Sequence, residues 1–145
     1  MIRRCVQAVV YNSILEKFLV LKKRSFSNKV KYRLIKGRVQ GYESLEDAIM
    51  REVKEEVGIS EATVFKKIWN YLVPLKIGKD LYSEDVTVFL LITSQVPLRV
   101  GKDAMEEGIL NAYWEDYEKC LKLLKSGYER LMLEKAYKFL KEKYS

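Results

Sequence analysis

The segment from Gly37 to Ile59, GRVQGYESLEDAIMREVKEEVGI, constrains the fold of this 145-residue chain more than any other stretch. Ser44 is a good helix N-cap, and Asp47 three residues later completes a capping-box pattern, so we predict a helix that begins at Leu45. Gly58 can adopt the left-handed backbone conformation that commonly ends a helix. The segment is therefore predicted to form a loop, a helix and a second loop.

The predicted helix carries its negative charges in an unusual place. At about 100° per residue, the face that should pack against a core is formed by Leu45, Ala48 and Ile49. The same face continues into three carboxylates spaced three and four residues apart, Glu52, Glu55 and Glu56. Adjacent anions at the margin of a core are costly unless they are protonated or receive a cation, and oxygen ligands suit Mg²⁺ or Mn²⁺. We predict a divalent-metal site here; the alternative is a solvated acidic helix face.

This pattern extends beyond the helix on both sides. In order, the chain has Gly37, five residues, Glu43, seven residues, Arg51-Glu52-Val53, one residue, Glu55-Glu56, one residue and Gly58-Ile59. The order resembles the Nudix box of the nucleoside-diphosphate-linked-moiety hydrolases at all nine of its specified positions. One detail departs from the commonest form of the box, because Tyr42 rather than a glycine precedes the first glutamate. The box leaves that position open, so the departure concerns the path of the loop and not the activity.

The resemblance implies both a fold and a reaction. It implies a single Nudix hydrolase domain over residues 1–145, with an α+β or α/β architecture of the α/β/α sandwich type and a mixed sheet between helices. It also implies hydrolysis of a pyrophosphate bond in a nucleoside diphosphate linked to another moiety. Attack of water on phosphorus needs metal ions that neutralise phosphate oxygens and lower the pKa of the water, together with a base near that water.

Individual box residues have expected roles. The expected metal ligands are Glu52, Glu55 and Glu56. Glu52 or Glu56 is expected to assist in deprotonating the water. Gly37 can offer its carbonyl oxygen to the metal, because a residue without a β-carbon allows close approach of the backbone. Arg51 and Glu43 are expected to pair and hold the loop against the helix, which orients Glu52; the alternative is a purely structural ion pair.

A further carboxylate is expected from outside the box, because members of the family often recruit one as a ligand or base. Residues 104–114, AMEEGILNAYW, resemble the loop that supplies it. Glu107 is the preferred candidate for this catalytic role and Glu106 is the reserve. The alternative for either residue is a solvated loop acid.

The charge distribution predicts an anionic ligand. The formal net charge is +7, the chain contains no histidine, and no acid occurs between Lys17 and Tyr42. Histidine is thereby excluded as a base, nucleophile or metal ligand. Lys36 and Arg38 flank Gly37 and are the preferred contacts for a polyphosphate chain; for the other cations the alternative is a solvated surface. RNA binding is not expected, because no RNA-module motif accompanies the net charge.

Several features bear on the substrate. Lys36-Gly37 before the box, the aromatic strand with Tyr71 and the ending from Trp114 into a helix look like the small diadenosine-polyphosphate hydrolases. Tyr71 is therefore a candidate for stacking on a nucleobase, although aromatic residues in strands more commonly join the core. Pro74 is similar to a proline of the ADP-ribose pyrophosphatases, but it is more simply a strand terminator. We expect a dinucleoside polyphosphate; the alternatives are ADP-ribose or another nucleotide sugar, an RNA end, or nucleotide sensing without turnover.

The rest of the sequence predicts strands interspersed with a few helices. Apart from the box helix, strands are predicted at 3–11, 18–23, 32–35, 62–75, 85–93 and 111–114, and helices at 115–125 and 128–144. The apolar stripe predicted for the last helix is Leu131, Leu133, Ala136, Phe139 and Leu140. Two isolated cysteines and the absence of a membrane-length apolar run or a signal-peptide layout predict a reducing cytoplasm and no membrane. The expected partner is a small nucleotide, and the expected state is a monomer or homodimer.

Overall fold

Seven strands and four helices form the part of the chain that the structure, a computed structural model, describes, residues 2–144. The strands are β1 (Ile2–Asn12), β2 (Lys17–Arg24), β3 (Val30–Arg33), β4 (Ile35–Arg38), β5 (Ala62–Ile77), β6 (Asp80–Thr93) and β7 (Ile109–Glu115). The helices are α1 (Leu45–Val57), α2 (Lys102–Glu106), α3 (Tyr117–Leu123) and α4 (Gly127–Tyr144). The predicted elements are all present, and α2 and the division between β3 and β4 are additional.

One mixed sheet lies between two layers of helices. Its strands run in the order β3-β2-β1-β6-β5, with β4 also paired to β1 and β7 also paired to β2. The pair β1–β6 is parallel, and the other pairs are antiparallel. One face packs its apolar side chains against α1 and α2, and the other face packs against α3 and α4. The predicted sandwich of a mixed sheet between helices is therefore confirmed.

The sheet splits where β1 and β2 separate. These strands pair only beside the turn that joins them, at Tyr11 with Phe18 and at Asn12 with Lys17. Farther along β1, its neighbour on that side is β4, which pairs with residues 5–8. Over the same distance β2 pairs with β3 and β7 instead. The divergence opens a cleft at one end of the sheet, and this cleft contains the candidate site.

Two predicted boundaries are wrong because pairing with distant strands decides them. The predicted strand 32–35 is divided at Leu34, since β3 pairs with β2 while β4 pairs with β1. Lys36 and Gly37 consequently lie inside β4 and not in a loop. Pro74 does not terminate its strand, which continues to Ile77 with Pro74 opposite Ser83. A proline is tolerated there because β5 is an edge strand, paired only with β6.

The buried face of α4 differs by one position from the prediction. Leu133, Ala136 and Leu140 are buried as expected, and Phe139 is partly buried. Leu131 is exposed, and Met132 takes its place in the core. Residues 131 and 133 are about 200° apart around a helix, so both cannot face the same layer.

Two further predictions concern the two cysteines and the membrane. Cys5 and Cys120 are both free and buried, so each fills the core as a small apolar residue. Within residues 2–144, no helix combines the length and the apolar character that crossing a membrane requires. The oligomeric state stays a prediction.

A buried carboxylate joins α4 to the strand crossover at Leu34. Glu129 lies on α4 and is almost fully buried. Its oxygens accept hydrogen bonds of 2.5 Å from Arg33 Nε and 2.5 Å from the backbone N–H of Leu34. Gln7 Nε2 lies 3.5 Å from the same carboxylate. Burial raises the pKa of Glu129, and the Arg33 guanidinium and the Leu34 N–H counteract that rise.

We expect Glu129→Gln to lower the free energy of unfolding by about 2–3 kcal/mol, because the amide cannot replace a charged acceptor for both Arg33 and Leu34. Denaturant unfolding followed by circular dichroism would measure the loss. Glu134→Gln, at an exposed position of the same helix, is the matched control and should change stability by less than about 0.5 kcal/mol. Equal stability of the two variants would show that the buried contacts do not stabilise the fold.

Candidate active site

Helix α1 has the boundaries and caps that its sequence predicts. Ser44 Oγ accepts a 3.0 Å hydrogen bond from the backbone N–H of Asp47, which caps the first turn. Gly58 follows the last helical residue with φ of 75°, in the left-handed region. Its N–H donates to the carbonyl of Lys54, and the next N–H donates to Val53. The helix therefore begins and ends where its local capping residues predict.

The three glutamates of α1 are not equally buried. Glu52 and Glu56 have relative exposures of 9% and 7%, and they continue the buried face that contains Ile49. The side chain of Glu55 is 58% exposed. The predicted inward orientation is therefore right for two carboxylates and wrong for Glu55, which lies about 100° from Glu56 around the helix. Glu55 nevertheless lines the same part of the cleft as the other two.

The strand β4 passes directly beside Glu52. A β-carbon built on Gly37 would lie 2.0 Å from Glu52 Cδ, closer than any real contact allows. Gly37 pairs with Val6 of β1, so the sheet holds its backbone in place. A glycine is needed here for close approach and not for a turn. The missing β-carbon thus brings the Gly37 backbone close to an expected metal ligand, while the role of its carbonyl oxygen towards a metal stays a prediction.

Arg51 neutralises much of the negative charge at the mouth of the site. It binds both oxygens of Glu43, with Nη2–Oε1 at 2.7 Å and Nε–Oε2 at 3.1 Å. Its Nη1 donates to Glu52 Oε1 at 2.9 Å and to Glu55 Oε2 at 3.2 Å. Its Nη2 also donates to the carbonyl of Arg38 at 2.8 Å. The predicted pair of Arg51 and Glu43 is thus one part of a larger network that joins the box loop, β4 and α1.

The guanidinium of Arg51 affects the carboxylates unequally. Its hydrogen bonds hold the pKa of Glu43 below the usual value. Burial raises the pKa of Glu52, although Arg51 counteracts that rise. Arg51 does not hydrogen-bond to Glu56. Burial, together with the charges of Glu52 and Glu107, raises the pKa of Glu56 to about 8, and the charge of Lys23 opposes this rise. Among the described residues, Glu56 Oε2 is buried without a hydrogen-bond partner.

The turn of α2 brings the predicted outside carboxylate to the site. The backbone N–H of Gly101 donates to the carbonyl of Glu56 at 3.0 Å, which holds the start of α2 against the end of α1. Glu107 follows α2 and lines the cleft beside Glu52 and Glu56, whose pKa values its charge raises. Glu106 does not line this part of the cleft. The structure therefore favours Glu107 over Glu106 as the carboxylate from outside the box.

The oxygen atoms of the site meet some of the requirements of a divalent metal ion. Among residues 2–144, no three carboxylate, thiol or imidazole groups lie close enough together to ligate one ion as they stand. Arg51 occupies one oxygen of Glu52 and one of Glu55. Other features fit a hard cation: the donors are oxygens, Glu56 Oε2 lacks a partner, and Gly37 leaves its carbonyl approachable. The residues therefore fit such an ion, provided that Arg51 releases those oxygens.

The cleft has three connected parts. The inner cleft, of about 680 Å³, is lined by residues that include Gly37, Glu52, Glu55, Glu56 and Glu107. The middle cleft, of about 290 Å³, is lined by Lys23, Arg33, Lys36, Glu56 and Glu84 among others. The outer cleft, of about 590 Å³, is lined by residues that include Lys23, Arg24, Phe26, Lys31, Arg33 and Glu107. Shared lining residues make the three parts continuous, so carboxylates at one end face cations at the other.

Of the three residues predicted to contact the substrate, two line the cleft and one does not. Lys36 and Arg38 both line the inner and middle clefts. Lys36 Nζ lies 2.6 Å from Glu84 Oε1, whereas Arg38 forms no ion pair with any residue in the range 2–144. Tyr71 lines none of the three parts. Its hydroxyl donates to Gln7 Oε1 at 2.8 Å, and its ring stacks on that of Tyr128 at 4.8 Å, so the predicted nucleobase contact for Tyr71 has no support.

The structure also reveals cleft residues that were not singled out from the sequence. Lys23, Arg24, Phe26 and Lys31 line the outer cleft. The acid-free block from Lys17 to Tyr42 contains them all, but it does not indicate which cations face the site. That information comes from the pairing of β2 with β3 and β7, which is not local in sequence.

Comparison with known proteins establishes the family. A family model for the NUDIX domain matches residues 1–134. The chain belongs to the NUDIX family. This assignment confirms the resemblance found at Gly37–Ile59 and, with it, the enzyme class of a pyrophosphohydrolase. No curated protein gave a match to the sequence.

Solved structures of similar fold cover almost the whole NUDIX chain. A C. elegans Ap4A hydrolase in a binary complex has 19% identity and a TM-score of 0.71, over 97% of this chain and 98% of that one. The MutT protein of Methanosarcina mazei Go1 has 23% identity and a TM-score of 0.71, over 97% and 96%. The NUDIX domain of Shewanella oneidensis NrtR, complexed with ADP ribose, has 12% identity and a TM-score of 0.75, over 97% and 89%. At these identities the similarity establishes the fold.

We expect Gly37→Ala to separate metal binding from folding. The added β-carbon would displace the flexible carboxyl end of Glu52 while costing about 1–2 kcal/mol of stability. Affinity for Mn²⁺, measured by isothermal titration calorimetry, should fall by about tenfold or more. Gly127→Ala is the control, because a β-carbon there meets nothing within 4 Å. Unchanged Mn²⁺ affinity in Gly37→Ala would show that the close approach has no part in the site.

We expect Glu56→Gln to remove a pH-dependent loss of stability in the metal-free protein. Burial raises the pKa of this carboxyl from 4.5 to about 8, so the folded protein binds the proton more tightly than the unfolded chain. The free energy of unfolding therefore falls as pH rises from about 4.5 to about 8. Thermal unfolding in EDTA should show equal stability of variant and parent at pH 4, and a higher Tm for the variant at pH 8.5.

Glu46→Gln, on the exposed side of the same helix, is the control for this experiment and should keep the pH dependence of the parent protein. A Glu56→Gln variant that is less stable than the parent at pH 8.5 would contradict the expected direction of the pH dependence. It would mean that the buried carboxylate contributes favourable contacts that outweigh the cost of its burial.

Proposed function

We propose that this NUDIX protein is a divalent-metal-dependent pyrophosphohydrolase of nucleotides in which a nucleoside diphosphate is linked to another moiety. A dinucleoside polyphosphate is the proposed substrate class. The observation that carries the proposal is the buried pair Glu52 and Glu56, which faces the Gly37 backbone at one end of a cleft whose other end is cationic. Arg51 bonds to Glu52 and not to Glu56, so this buried pair lacks the positive charge that a metal ion brings.

The proposed roles follow from the positions of the side chains. Glu52, Glu55, Glu56 and the carbonyl of Gly37 would hold Mg²⁺ or Mn²⁺. The bound ion would neutralise phosphate oxygens and lower the pKa of the attacking water. Glu107, beside Glu56, supplies a further carboxylate as ligand or base, and Glu52 or Glu56 assists in removing the proton of the water. Arg51 orients Glu52 and Glu55 through the hydrogen bonds described above.

Charge along the cleft supports a long polyphosphate. Arg38 lines the inner and middle clefts, Lys23 lines the middle and outer clefts, and Lys31 lies in the outer cleft. Neither Arg38 nor Lys31 forms an ion pair with a carboxylate in residues 2–144, so both are available to phosphate oxygens. The Ap4A hydrolase among the similar structures agrees with this substrate class. A short nucleotide would leave part of the cationic surface without a counterion.

Nucleotide binding without turnover is the second candidate. It is favoured by the hydrogen bonds of Arg51, which occupy one oxygen each of Glu52 and Glu55, and by the similarity to an NrtR domain complexed with ADP ribose. A substrate panel separates the two candidates. Diadenosine polyphosphates, ADP-ribose, nucleoside triphosphates and capped RNA would each be incubated with Mg²⁺ or Mn²⁺, and the products resolved by chromatography. Tight nucleotide binding with no product from any member would establish the second candidate.

We expect Glu55→Gln to lower kcat by about a hundredfold or more, because it removes a charged ligand from the site. The fold should remain intact, since Glu55 is exposed and, among residues 2–144, its side chain hydrogen-bonds only to Arg51. Steady-state kinetics with diadenosine tetraphosphate and Mg²⁺ would measure the change. Glu46→Gln removes the same charge elsewhere on the exposed surface of the helix and should retain the activity of the parent. Near-normal turnover in Glu55→Gln would remove this residue from the proposed site.

A further inference from the structure

An aromatic ring stands fully exposed at the edge of the outer cleft. Phe26 belongs to the connection between β2 and β3 and lines the outer cleft. Its loop is closed by its own hydrogen bonds, from the Ser25 N–H to the Lys29 carbonyl at 2.8 Å and from the Asn28 N–H to the Ser25 carbonyl at 2.9 Å. The loop therefore presents the ring in a defined place, although an exposed phenylalanine forgoes the stabilisation of burial.

Two lysines lie directly opposite each other beside this ring. Lys23 of β2 is the register partner of Lys31 of β3. Like charges in directly opposed positions of an antiparallel pair are unfavourable, and an anion between them would reverse the effect. No carboxylate within residues 2–144 forms an ion pair with Lys31, and Arg24, next along β2, also lacks one. The pairing thus places cations that form no ion pair within residues 2–144 next to an exposed aromatic ring, in a cleft that Glu106 and Glu107 also line.

The outer cleft is held in a fixed relation to the inner cleft. The N–H of Arg24 donates to the carbonyl of Gly108 at 2.8 Å. Gly108 has φ of 101°, and a β-carbon there would lie 2.5 Å from the Arg24 carbonyl oxygen, so only glycine allows this approach. Glu107 precedes Gly108 and lines both the inner and outer clefts. The end of β2 that carries the cations is therefore joined to the loop that carries a candidate catalytic carboxylate.

We propose that the outer cleft is a nucleoside subsite, in which the second nucleobase of a dinucleoside polyphosphate stacks on Phe26 while Lys23 and Lys31 contact the phosphate chain. Aromatic faces bind nucleobases by stacking, and adjacent cations bind the attached phosphates. This inference rests on the proposed function, since it supplies the far end of the substrate whose pyrophosphate bond lies at the carboxylates. A nucleotide with one nucleoside cannot place a base on Phe26 and a second base at the other end of its phosphate chain.

The test compares two substrates that differ only in the second nucleoside, diadenosine tetraphosphate and adenosine tetraphosphate. For Phe26→Ala, the ratio of kcat/KM for the first substrate to that for the second should fall by roughly tenfold to a hundredfold, mainly through KM. Phe26→Tyr should retain the ratio, because it retains an aromatic face. Phe65→Ala, which removes a phenylalanine ring from β5 at the opposite edge of the sheet, is the matched control. An equal effect of Phe26→Ala on both substrates, or no effect, would overturn the subsite.

Binding measured without turnover distinguishes failure of the subsite from failure of the proposed function. If the parent protein hydrolyses neither substrate, the proposed substrate class fails, and calorimetric titration with the same two nucleotides in EDTA still tests the subsite. The parent should then bind diadenosine tetraphosphate more tightly than adenosine tetraphosphate by roughly tenfold, and Phe26→Ala should abolish the difference. Lys31→Gln should weaken both nucleotides, with the larger effect at low salt. Equal affinity of the parent protein for both nucleotides would exclude a second nucleoside site.

Discussion

The close approach of α1 to β4 is the constraint on which the site depends. Gly37 has no β-carbon, so the carboxyl group of Glu52 fits against the strand backbone. The pairing of β4 with β1 holds the strand, and the apolar residues of α1 hold the helix against the same sheet. Two carboxylates are thereby placed where water has limited access. The packing that stabilises the fold thus also creates the unfavourable electrostatics that a cation relieves.

One arginine cannot relieve all of this negative charge. Arg51 reaches Glu43, Glu52 and Glu55, but Glu56 lies behind them and keeps one buried oxygen without a partner. A buried carboxylate without a partner costs several kcal/mol, or is protonated instead, which the raised pKa of Glu56 indicates. A divalent ion would satisfy Glu56 and compete with Arg51 for the other two carboxylates. The network would therefore leave Glu56 available to a divalent ion while Arg51 partly neutralises Glu52 and Glu55 in the metal-free protein.

The sequence predicts those parts of this structure that local chemistry determines. The boundaries of α1 follow from Ser44 and Gly58, and the pair of Arg51 and Glu43 follows from their positions in the box. Features that depend on distant strands were not predictable. The inclusion of Gly37 in a strand requires pairing with β1, and the burial of Glu129 requires α4 to pack over the crossover at Leu34. Sequence periodicity contains no information about either partner.

The same distinction bears on which aromatic side chains are accessible to a ligand. Aromatic side chains in a sheet covered on both faces are taken up by packing, as the stacking of Tyr71 on Tyr128 illustrates. A loop at the end of two strands has no helix layer above it, so Phe26 remains free to contact a ligand. The split between β1 and β2 leaves that loop facing the carboxylates across one continuous cleft. The proposed recognition of a second nucleoside would therefore depend on where the sheet divides, which no residue motif specifies.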